Sequence, residues 1–414
     1  MKPLSRESGQ ALLAAAFSLV VLLGAAGLAI DMGYLRYQKR LQQSAADSAA
    51  LAGAAGLPSG NSGQITTAAI NDATLNGFPD GFTGPDKIYH VNVNVNPAFS
   101  FGGETAVQVQ VQVTQPTFFM KIFGVPSTSI VASAVAKAIN TQNCVYALDG
   151  TGNAITNDTT LSAPGCGVVD NSSLDNDGSI TATSVAIHGT PFGNTTSPPA
   201  VAGTAEVGDP LFRLNAQDTG GACARSKTRG DGLDGIMTGS KNRAAPTNFA
   251  LGPGTYCSGL VISGFANVTF SSGLYVITGS TAANGIQFNG AGNVTGSGVT
   301  FYIADRAGSV LINSAAGSAE SMTLSAQTTT ALAAVLFYQD RNNLSPAIID
   351  GRGTSTLTGA LYFPGATLNL ANINAAPYTI TVAKDLAFTG TVNLGSDYSS
   401  LPGGSPIKNS VLVE

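Results

Sequence analysis

Twenty consecutive residues without a charge, positions 11–30, form the longest apolar run of the chain. As an α-helix this run is roughly 30 Å long, at about 1.5 Å per residue, which matches the hydrocarbon thickness of a bilayer. It therefore predicts a single membrane-spanning helix. The residues that represent this anchor are Ala11, Phe17, Leu22 and Ile30.

A cleaved signal peptide is the alternative interpretation of the same run. Such a signal has a shorter apolar core, about 7–15 residues, followed by a cleavage site between small residues. Here the run is longer, and the chain continues through Asp31 into more helical sequence. The pattern therefore favours an anchor that is not removed.

The pattern stays helical after the span. Helix formers continue over residues 34–55, and Ala and Leu recur on one face at the i, i+4 spacing. That face consists of Leu41, Ala45, Ala49 and Ala52. Its small side chains permit the close approach of another backbone, either from another subunit or from the protein's own domain. Residues 56–60, rich in Gly with one Pro, predict the end of the helix.

Alternation of apolar and polar residues begins at Ile88 and predicts strands. Valines occupy every second position over 91–95 and 107–113, with Asn or Gln between them, and a Gly pair separates the two runs. This is the pattern of a β-hairpin with one wet face. A short helix over 117–124 and a strand over 129–138 complete a small α+β domain.

Short apolar runs recur over residues 254–394, with most spacings about 24–27 residues. One set is 274–277, 299–303, 335–338 and 361–363, and the other is 260–262, 286–288, 310–312 and 347–349. Such a period, with no helices between the strands, predicts a right-handed parallel β-helix of about three short strands per coil. A β-sandwich of antiparallel strands is the alternative, because it too is built from short strands and Gly turns.

The predicted fold is thus mainly β with an N-terminal transmembrane helix. Residues 190–256 carry several prolines and Gly pairs and little periodicity, which predicts a long loop or insert. The expected divisions are a cytoplasmic head (1–10), the span (11–30), a helical extension (31–57), an α+β domain (58–140), an irregular disulfide-containing region (141–253), a β-helix-like domain (254–396) and a C-terminal tail (397–414).

Composition supports a turn-rich β protein and narrows the functions. Only 10% of the residues are charged, and the chain has 50 glycines and no tryptophan. The net charge of −5 gives no electrostatic reason to expect a nucleic-acid partner. Two histidines, His90 and His188, leave little for metal or acid–base chemistry. We therefore expect no cofactor.

All four cysteines lie beyond the span, and no two form a C-x-x-C pair: Cys144, Cys166, Cys223 and Cys257. An even number in an exported domain favours disulfides over a metal site. Of the three possible pairings we favour the two that close short local loops, 144 with 166 and 223 with 257. Buried free thiols in a cytosolic protein are the alternative. Basic residues flank both ends of the span, so the cysteines and the low charge, rather than the positive-inside rule, place the C-terminal part outside.

The N-terminal sequence resembles a known family. The motif around Gly9-Gln10, the sequence Asp31-Met32-Gly33-Tyr34 after the span, and residues 41–52 (LQQSAADSAALA) together resemble the N-terminal module of TadE/TadG-like proteins of the Tad (Flp) pilus-assembly system. The resemblance implies a small membrane-proximal domain reaching to about residue 140. The sequence after Cys144 looks like the start of the exported region of TadG-related proteins.

The resemblance also bears on processing of the N-terminus. Pilin-type members of the family carry a Glu five residues after the Gly, where this chain has Ala14. The resemblance therefore implies that the anchor is retained, as in the TadG-like branch, rather than cut at Gly9.

Two short motifs suggest ligands. Asp175 and Asp177, with Gly178 after them, have the look of half a calcium loop, although such sequences are common in plain turns. Residues 229–231 spell Arg-Gly-Asp, an adhesion tripeptide that a Gly-rich loop also produces by chance.

Parallel β-helices can be polysaccharide-cleaving enzymes, so carboxylate–cation pairs in the repeat region are candidates for catalysis. They are Asp340 with Arg341, Asp350 with Arg352, and Lys384 with Asp385. Charged turn residues on a solvent face explain the same pairs, and the chain has no nucleophile elbow or phosphate loop.

The sequence thus predicts a non-catalytic, membrane-anchored component of a Tad-type pilus or related surface assembly. Its expected place is the bacterial inner membrane, with a single span and the C-terminal region periplasmic or extracellular. Expected partners are the membrane, other pilus or secretion-apparatus proteins and surface glycans. The alternative from another class is a membrane-tethered β-helix that binds or cleaves glycans.

Overall fold

The structure is a computed structural model of the chain. It describes residues 8–57, 62–84, 88–94, 100–101, 104–140, 143–220, 223, 235–279, 284–313, 320–402 and 404–413. The chain divides into two compact units. Unit 1 contains residues 1–139 and 408–414, and unit 2 contains residues 140–407.

Unit 1 contains two helices and one antiparallel sheet. The helices are α1 (Ser8–Ala54) and α2 (Ser62–Leu75), and the strands are β1 (Ile88–Asn94), β2 (Ser100–Phe101), β3 (Glu104–Pro116), β4 (Ser127–Asn140) and β29 (Lys408–Leu412). The sheet order is β1-β3-β4-β29, with β2 beside β3. Because α1 runs unbroken for 47 residues, the apolar run and the predicted helical extension form one helix.

The predicted hairpin is present as β1 and β3, paired antiparallel with Val91 opposite Val111 and Val93 opposite Val109. The valines of β3 are buried against α1 and α2, while the glutamines between them face the other side. The alternation therefore has the physical origin that was expected, one face packed and one face wet. The predicted short helix after β3 is a 3-10 turn, Met120–Phe123.

The last residues are not a free tail. Strand β29 is the hydrogen-bonded neighbour of β4 in unit 1. Before it, Leu401 is buried and the ring of Tyr398 lies 5.3 Å from that of Tyr378 in unit 2. Residues 397–414 were expected to be a tail outside both domains. In the structure the residues before 408 pack within unit 2, and β29 joins the sheet of unit 1.

Unit 2 consists of strands β5 to β28. They are β5 (Asn143–Ala147), β6 (Asn153–Asn157), β7 (Thr160–Ala163), β8 (Gly167–Asp170), β9 (Ser173–Asn176), β10 (Ser179–Ala182), β11 (Val185–Ile187), β12 (Pro191–Gly193), β13 (Val201–Ala202), β14 (Ile236–Thr238), β15 (Thr247–Leu251), β16 (Gly254–Tyr256), β17 (Leu260–Ser263), β18 (Ala266–Phe270), β19 (Gly273–Ile277), β20 (Asn284–Phe288), β21 (Asn293–Ser297), β22 (Val299–Ile303), β23 (Ser309–Ile312), β24 (Ser321–Ser325), β25 (Val335–Gln339), β26 (Ala347–Asn374), β27 (Thr379–Phe388) and β28 (Val392–Asn393).

These strands stack in parallel, each with the strand that occupies the same place in the next coil. One predicted set becomes the ladder β19-β22-β25-β26, and the other becomes β17-β20-β23-β26. A third ladder, β18-β21-β24-β26, completes each coil. The unit is therefore the predicted parallel β-helix-like stack. The β-sandwich alternative is wrong, because its strands would pair antiparallel.

The coils do not stack in the order of the sequence. Strand β27 pairs with β5 and β6, and β28 pairs with β7, so the last coil in sequence lies directly against the first. The stack continues from there through β8, β9 and β10 to β11, β12 and β13. In space the order of residues is 236–394 followed by 143–202. Unit 2 therefore begins and ends inside its own stack.

The region expected to be irregular contributes regular coils. Strands β5–β13 and β14–β16 all lie within or next to residues 141–256, and all join the parallel stack. The interpretation of 190–256 as a loop with little periodic structure is wrong at both of its ends. Those strands were hard to recognise because they are only two to five residues long, which is too short to show a clear alternation.

The interior of unit 2 is one continuous apolar core filled by a row of aromatic rings. Phe301 lies 5.0 Å from Phe270 and 5.2 Å from Phe337, measured between ring centroids. Tyr275, Phe301 and Phe337 occupy the same register position in β19, β22 and β25, and the Phe301 ring lies 5.2 Å from each of the other two. The stack is thereby held by burial of large apolar area between neighbouring coils.

Candidate functional site

The N-terminal part of α1 is apolar and uncovered. The described residues contain one helix that is long and apolar enough to cross a membrane. Phe17, Leu22 and Ile30 of the predicted anchor are exposed, and Ala11 lies within the same helix. In water this surface would be costly, because each Å² of exposed apolar area costs about 25 cal/mol. A bilayer removes that cost.

The end of the apolar run is tied to the loop between β3 and β4. The Asp31 carboxylate accepts hydrogen bonds from the backbone N–H groups of Phe118, Phe119 and Met120, with N···O distances of 2.9, 2.8 and 2.6 Å. These N–H groups open the 3-10 turn and have no partner within it. Asp31 therefore caps this turn from a neighbouring helix.

The predicted interaction face of α1 is divided by the structure. Ala45 and Ala49 are buried against unit 1's own helix α2 and sheet, Ala52 is half-buried, and Leu41 is exposed. Of the two alternatives for this face, packing on the protein's own domain is the one observed for the two central alanines. Those alanines are consequently not a surface for another subunit.

The two favoured disulfides are formed. Cys144 bonds to Cys166, and Cys223 bonds to Cys257, each with a Cα–Cα distance of 5.6 Å. The first pair is buried in the core, while both residues of the second are exposed. No free cysteine is found among the described residues. The alternative of four free thiols is wrong.

A segment that we call the strap, residues 203–220 together with Cys223, returns the chain from one end of the stack to the other. It begins beside β11, where the Thr204 N–H donates to the Ile187 carbonyl at 3.1 Å, and it ends at the Cys223–Cys257 disulfide, next to β16. Eight ladder steps separate these strands, which is about 38 Å at roughly 4.8 Å per step.

The strap is fastened along the way by side chains of the stack. Asn171 exchanges two hydrogen bonds with the Val207 backbone, both 2.8 Å long. Tyr362 donates to the Asp209 carboxylate, and Tyr338 donates to the Leu214 carbonyl at 2.9 Å. These tyrosines belong to neighbouring coils and their rings lie 5.2 Å apart. The tyrosine row therefore has a structural role that the repeat pattern alone did not reveal.

The first predicted carboxylate–cation pair serves this strap. Arg341 donates to the backbone carbonyls of Leu214 and Leu211, at 2.8 and 3.1 Å, and lies 3.5 Å from the Asp209 carboxylate. Asp340 accepts from the Tyr302 hydroxyl. Both charges are therefore occupied by contacts within the fold.

The second and third pairs are also engaged locally. Arg352 lies 3.3 Å from Asp350, which also accepts from Asn372 at 2.9 Å. Lys384 lies 3.0 Å from Asp149 and 3.9 Å from Asp385. Among the described residues, no hydrogen bond or ion pair joins one of the three pairs to another. Asp340, Asp350 and Asp385 thus each have a partner of their own within the fold.

Two buried carboxyl groups were missed by the sequence reasoning. Burial raises the pKa of Asp170 to about 7, and the nearby Asp385 charge adds to the increase. Burial likewise raises the pKa of Glu320 to about 8. Asp170 ends strand β8, in which all four residues are buried, and this short run is the signal that was available in the sequence.

The calcium candidate is organised differently from a metal loop. The residue between the two aspartates, Asn176, is buried and accepts from Asn157 of the next coil at 2.7 Å. Asp175 accepts from Asn153 at 3.4 Å. The described residues contain no group of three or more His, Cys, Asp or Glu that could hold a metal ion. An asparagine stack between coils therefore accounts for Asn176, and calcium binding by Asp175 and Asp177 stays a prediction.

The remaining candidates are the two histidines and the Arg-Gly-Asp sequence. His188 lies 2.7 Å from the Thr204 carbonyl and 3.8 Å from Glu206, both at the start of the strap. His90 is exposed on β1, opposite Gln112. The Arg-Gly-Asp sequence at 229–231 lies outside the described residues.

Comparison with known proteins gives matches at the N-terminal part. Residues 9–56 match a family described as putative Flp pilus-assembly TadE/G-like, and residues 33–136 match one described as putative Tad-like Flp pilus-assembly. Together these ranges cover α1 and the antiparallel sheet up to β4. No curated protein and no solved structure matches the chain.

Proposed function

Because residues 9–136 match two families described as putative Tad-type Flp pilus-assembly proteins, we propose that this chain is a membrane-anchored, extracytoplasmic structural component of a Tad-type pilus or related surface assembly. The observation that carries the proposal is the construction of α1. One unbroken helix contains both the exposed apolar run and the alanines that pack unit 1, so the span and the family module form one piece.

In the proposed arrangement α1 spans the bacterial inner membrane, and unit 2 lies in the periplasm or beyond. The two disulfides support this placement, since disulfides persist in oxidising compartments and are rare in the cytosol. The partners proposed are other proteins of the pilus or secretion apparatus.

The proposed role is that of a tether rather than a catalyst. The three carboxylate–cation pairs each have partners inside the fold, and two of their residues help to fasten the stack. A tether needs an extracytoplasmic body and a membrane anchor, and in this proposal the parallel stack with its strap is the body and α1 is the anchor. We also propose that the anchor is retained, since Ala14 stands where processed relatives carry Glu.

Deletion and complementation test the proposal. Cells lacking the gene should lose pilus formation and surface attachment, and the full chain should restore both. A chain with Leu19→Arg and Leu22→Arg should fail to restore them, because a charge at the centre of a membrane helix costs about 2.5–3.5 kcal/mol. The matched control changes the same two residues to Ala, keeps the span apolar and should complement. Normal pili and attachment in the deletion strain would refute the pilus assignment.

Topology and processing are tested separately. Protease added to intact spheroplasts should digest the chain beyond residue 60, whereas full protection would refute the extracytoplasmic placement. Mass analysis of the membrane-bound protein should find the peptide bond between Gly9 and Gln10 intact, with the residues before Gly9 still attached. A mature N-terminus just after Gly9 would refute the retained anchor.

A further inference from the structure

The loop between β3 and β4 is a closed, apolar hairpin tip, which we define as residues 117–126. It is closed at its base by the Thr117 N–H, which donates to the Pro126 carbonyl at 3.0 Å, and by the Thr117 hydroxyl, which donates to the Val125 carbonyl. Gly124 ends the 3-10 turn with a φ of 85°, a left-handed conformation that favours glycine. The tip is therefore an ordered structure of unit 1.

Its side chains are apolar and uncovered. The exposed fractions are 48% for Phe118, 39% for Phe119, 75% for Ile122 and 66% for Phe123. A contiguous patch of this kind on a protein surface marks a contact with a partner or a membrane. Lys121, also exposed, is the charged residue among them.

The tip is fixed to α1 at the end of the apolar run. Asp31 holds the backbone of residues 118–120, and the ring of Tyr34 lies 5.1 Å from that of Phe118. The ring of Phe119 lies against Gly27, so closely that a Cβ on Gly27 would be 2.8 Å from it. Gly27 lies inside the apolar run, about one helical turn before its end at Ile30.

The contact of the Phe119 ring with Gly27 determines what surrounds the tip. When residues 11–30 cross the hydrocarbon, Gly27 lies at or below the boundary with the headgroups, and the ring packed on it lies at the same depth. Phe and other large apolar side chains enter this boundary in elements that lie at the membrane surface, and a lysine there extends its amine toward water. The Asp31 carboxylate meanwhile satisfies three backbone N–H groups that would lack partners in lipid.

We propose that the hairpin tip is a membrane wedge, inserted among the lipid headgroups and acyl chains of the leaflet that faces unit 1. The partner is the lipid surface, and the argument is the continuity of the apolar patch with the membrane-spanning surface of α1. The wedge gives the chain a second hold on the bilayer and fixes the depth of α1. This inference rests on the proposed function only in taking α1 as a bilayer-spanning anchor.

The absence of tryptophan from the sequence allows a direct test. The full chain carrying Phe123→Trp, Phe118→Trp or, as a third position, Ile122→Trp is placed in phosphatidylethanolamine–phosphatidylglycerol vesicles. A matched control is Phe82→Trp in the same unit, because Phe82 is 47% exposed and its ring lies 5.2 Å from Tyr89, much as Phe118 is 48% exposed and lies beside Tyr34.

Quenching by lipid and by water-soluble agents gives the readout. A phospholipid with a nitroxide near the headgroup end of its acyl chain should quench the tip variants roughly twofold, since interfacial elements sit about 5–10 Å into the boundary. It should hardly quench the Phe82→Trp control. Acrylamide in the aqueous phase should quench the Phe82→Trp control more than the tip variants.

Resistance to carbonate extraction, measured for every variant, separates this inference from the proposed function. If the variants stay in the membrane and the tip is quenched no more than the control, the wedge is refuted and the anchor stands. If carbonate extracts the chain, the anchor and the wedge are both refuted. Stronger quenching of the tip variants than of the control, in carbonate-resistant protein, supports the wedge. Agreement between the three tip positions shows that the result does not come from misfolding of one variant.

Discussion

The hydroxyl of Tyr362 donates a hydrogen bond to the carboxylate of Asp209, which lies 153 residues earlier in the chain. Arg341 completes the contact, 3.5 Å from Asp209 and 5.5 Å from the centre of the Tyr362 ring. Burial and the Asp209 charge raise the pKa of Tyr362. The hydroxyl thus stays protonated and remains a donor, and this contact fastens the strap between its two ends.

Replacing Tyr362 with Phe should loosen the strap. The change leaves Asp209 with a partly buried charge and one donor fewer, which costs about 1–3 kcal/mol. Limited proteolysis should cleave Tyr362→Phe faster than the wild type within residues 203–220, and urea unfolding should show the lower stability.

The matched control for this prediction is Asp218→Asn, an exposed residue of the same strap whose carboxylate caps only its own turn at Gly220. It should be cleaved at the wild-type rate. Equal cleavage of Tyr362→Phe and wild type would mean that the contact does not hold the strap.

The two disulfides should differ in their response to reductant. Cys223 and Cys257 are exposed, whereas Cys144 and Cys166 are buried, and thiol exchange requires access to the sulfur. Mild dithiothreitol under native conditions should open Cys223–Cys257 first and free one end of the strap. Mass mapping after alkylation gives the order, and simultaneous or reversed opening would contradict this prediction.

Stability of unit 2 should fall as the pH rises towards 8. Asp170 has a pKa of about 7 in the folded chain and an ordinary low pKa when unfolded, so the native state keeps a proton that the unfolded state loses. This contribution is complete below about pH 4 and is lost as the pH rises through about 7, by up to about 4 kcal/mol.

The variant Asp170→Asn should remove most of that slope, because an amide stays neutral at every pH. Urea unfolding at pH 5 and pH 8 would measure the effect, with the exposed Asp158→Asn as control. A variant that is as pH-dependent as the wild type would show that Asp170 is not responsible. Glu320→Gln should flatten the slope in the same sense, since burial raises the pKa of that carboxyl too.

Loss of the Asp31 carboxylate should loosen the hairpin tip. The change Asp31→Ala leaves three backbone N–H groups without their acceptor, and we expect a loss of about 2–4 kcal/mol in unit 1. Hydrogen exchange at Phe118, Phe119 and Met120 should become faster. Asp47→Ala on the same helix, which removes one side-chain contact at 2.8 Å from Gln43, should leave those amides protected. Unchanged protection in Asp31→Ala would contradict the role of Asp31.

Local patterns predicted much of the fold. The valines of β3 alternate because one face of the sheet is packed, and the apolar runs of unit 2 recur because each coil repeats the last. The disulfide pairs followed from short loop closure. In each case the residues that form the pattern lie within a few tens of positions of one another, so the feature can be predicted from local sequence.

The contacts of the candidate site residues were less predictable, because the partner of a charged side chain cannot be identified from the neighbouring sequence. Asp340 and Arg341 were one of the candidate pairs for catalysis. In the structure Arg341 binds the strap, more than a hundred residues away in sequence. In the sequence Asp31 only marks the end of the predicted span. In the structure it accepts hydrogen bonds from backbone N–H groups of residues 118–120. A contact of that range leaves no periodicity in the sequence.

By itself, then, the sequence determined the membrane-length helix, the hairpin strands, the parallel stacking of the runs over 254–394 and the resemblance of the N-terminal module to a pilus-assembly family. Only the tertiary structure decided that coils 143–202 follow residue 394 in space, and that a strap must return along the stack. The physical reason is that alternation specifies which side chains a strand buries but not which coil lies beside it. That choice depends on how well whole coils fit, as β27 fits β5, and on the contacts, such as Tyr362 with Asp209, that hold the returning chain.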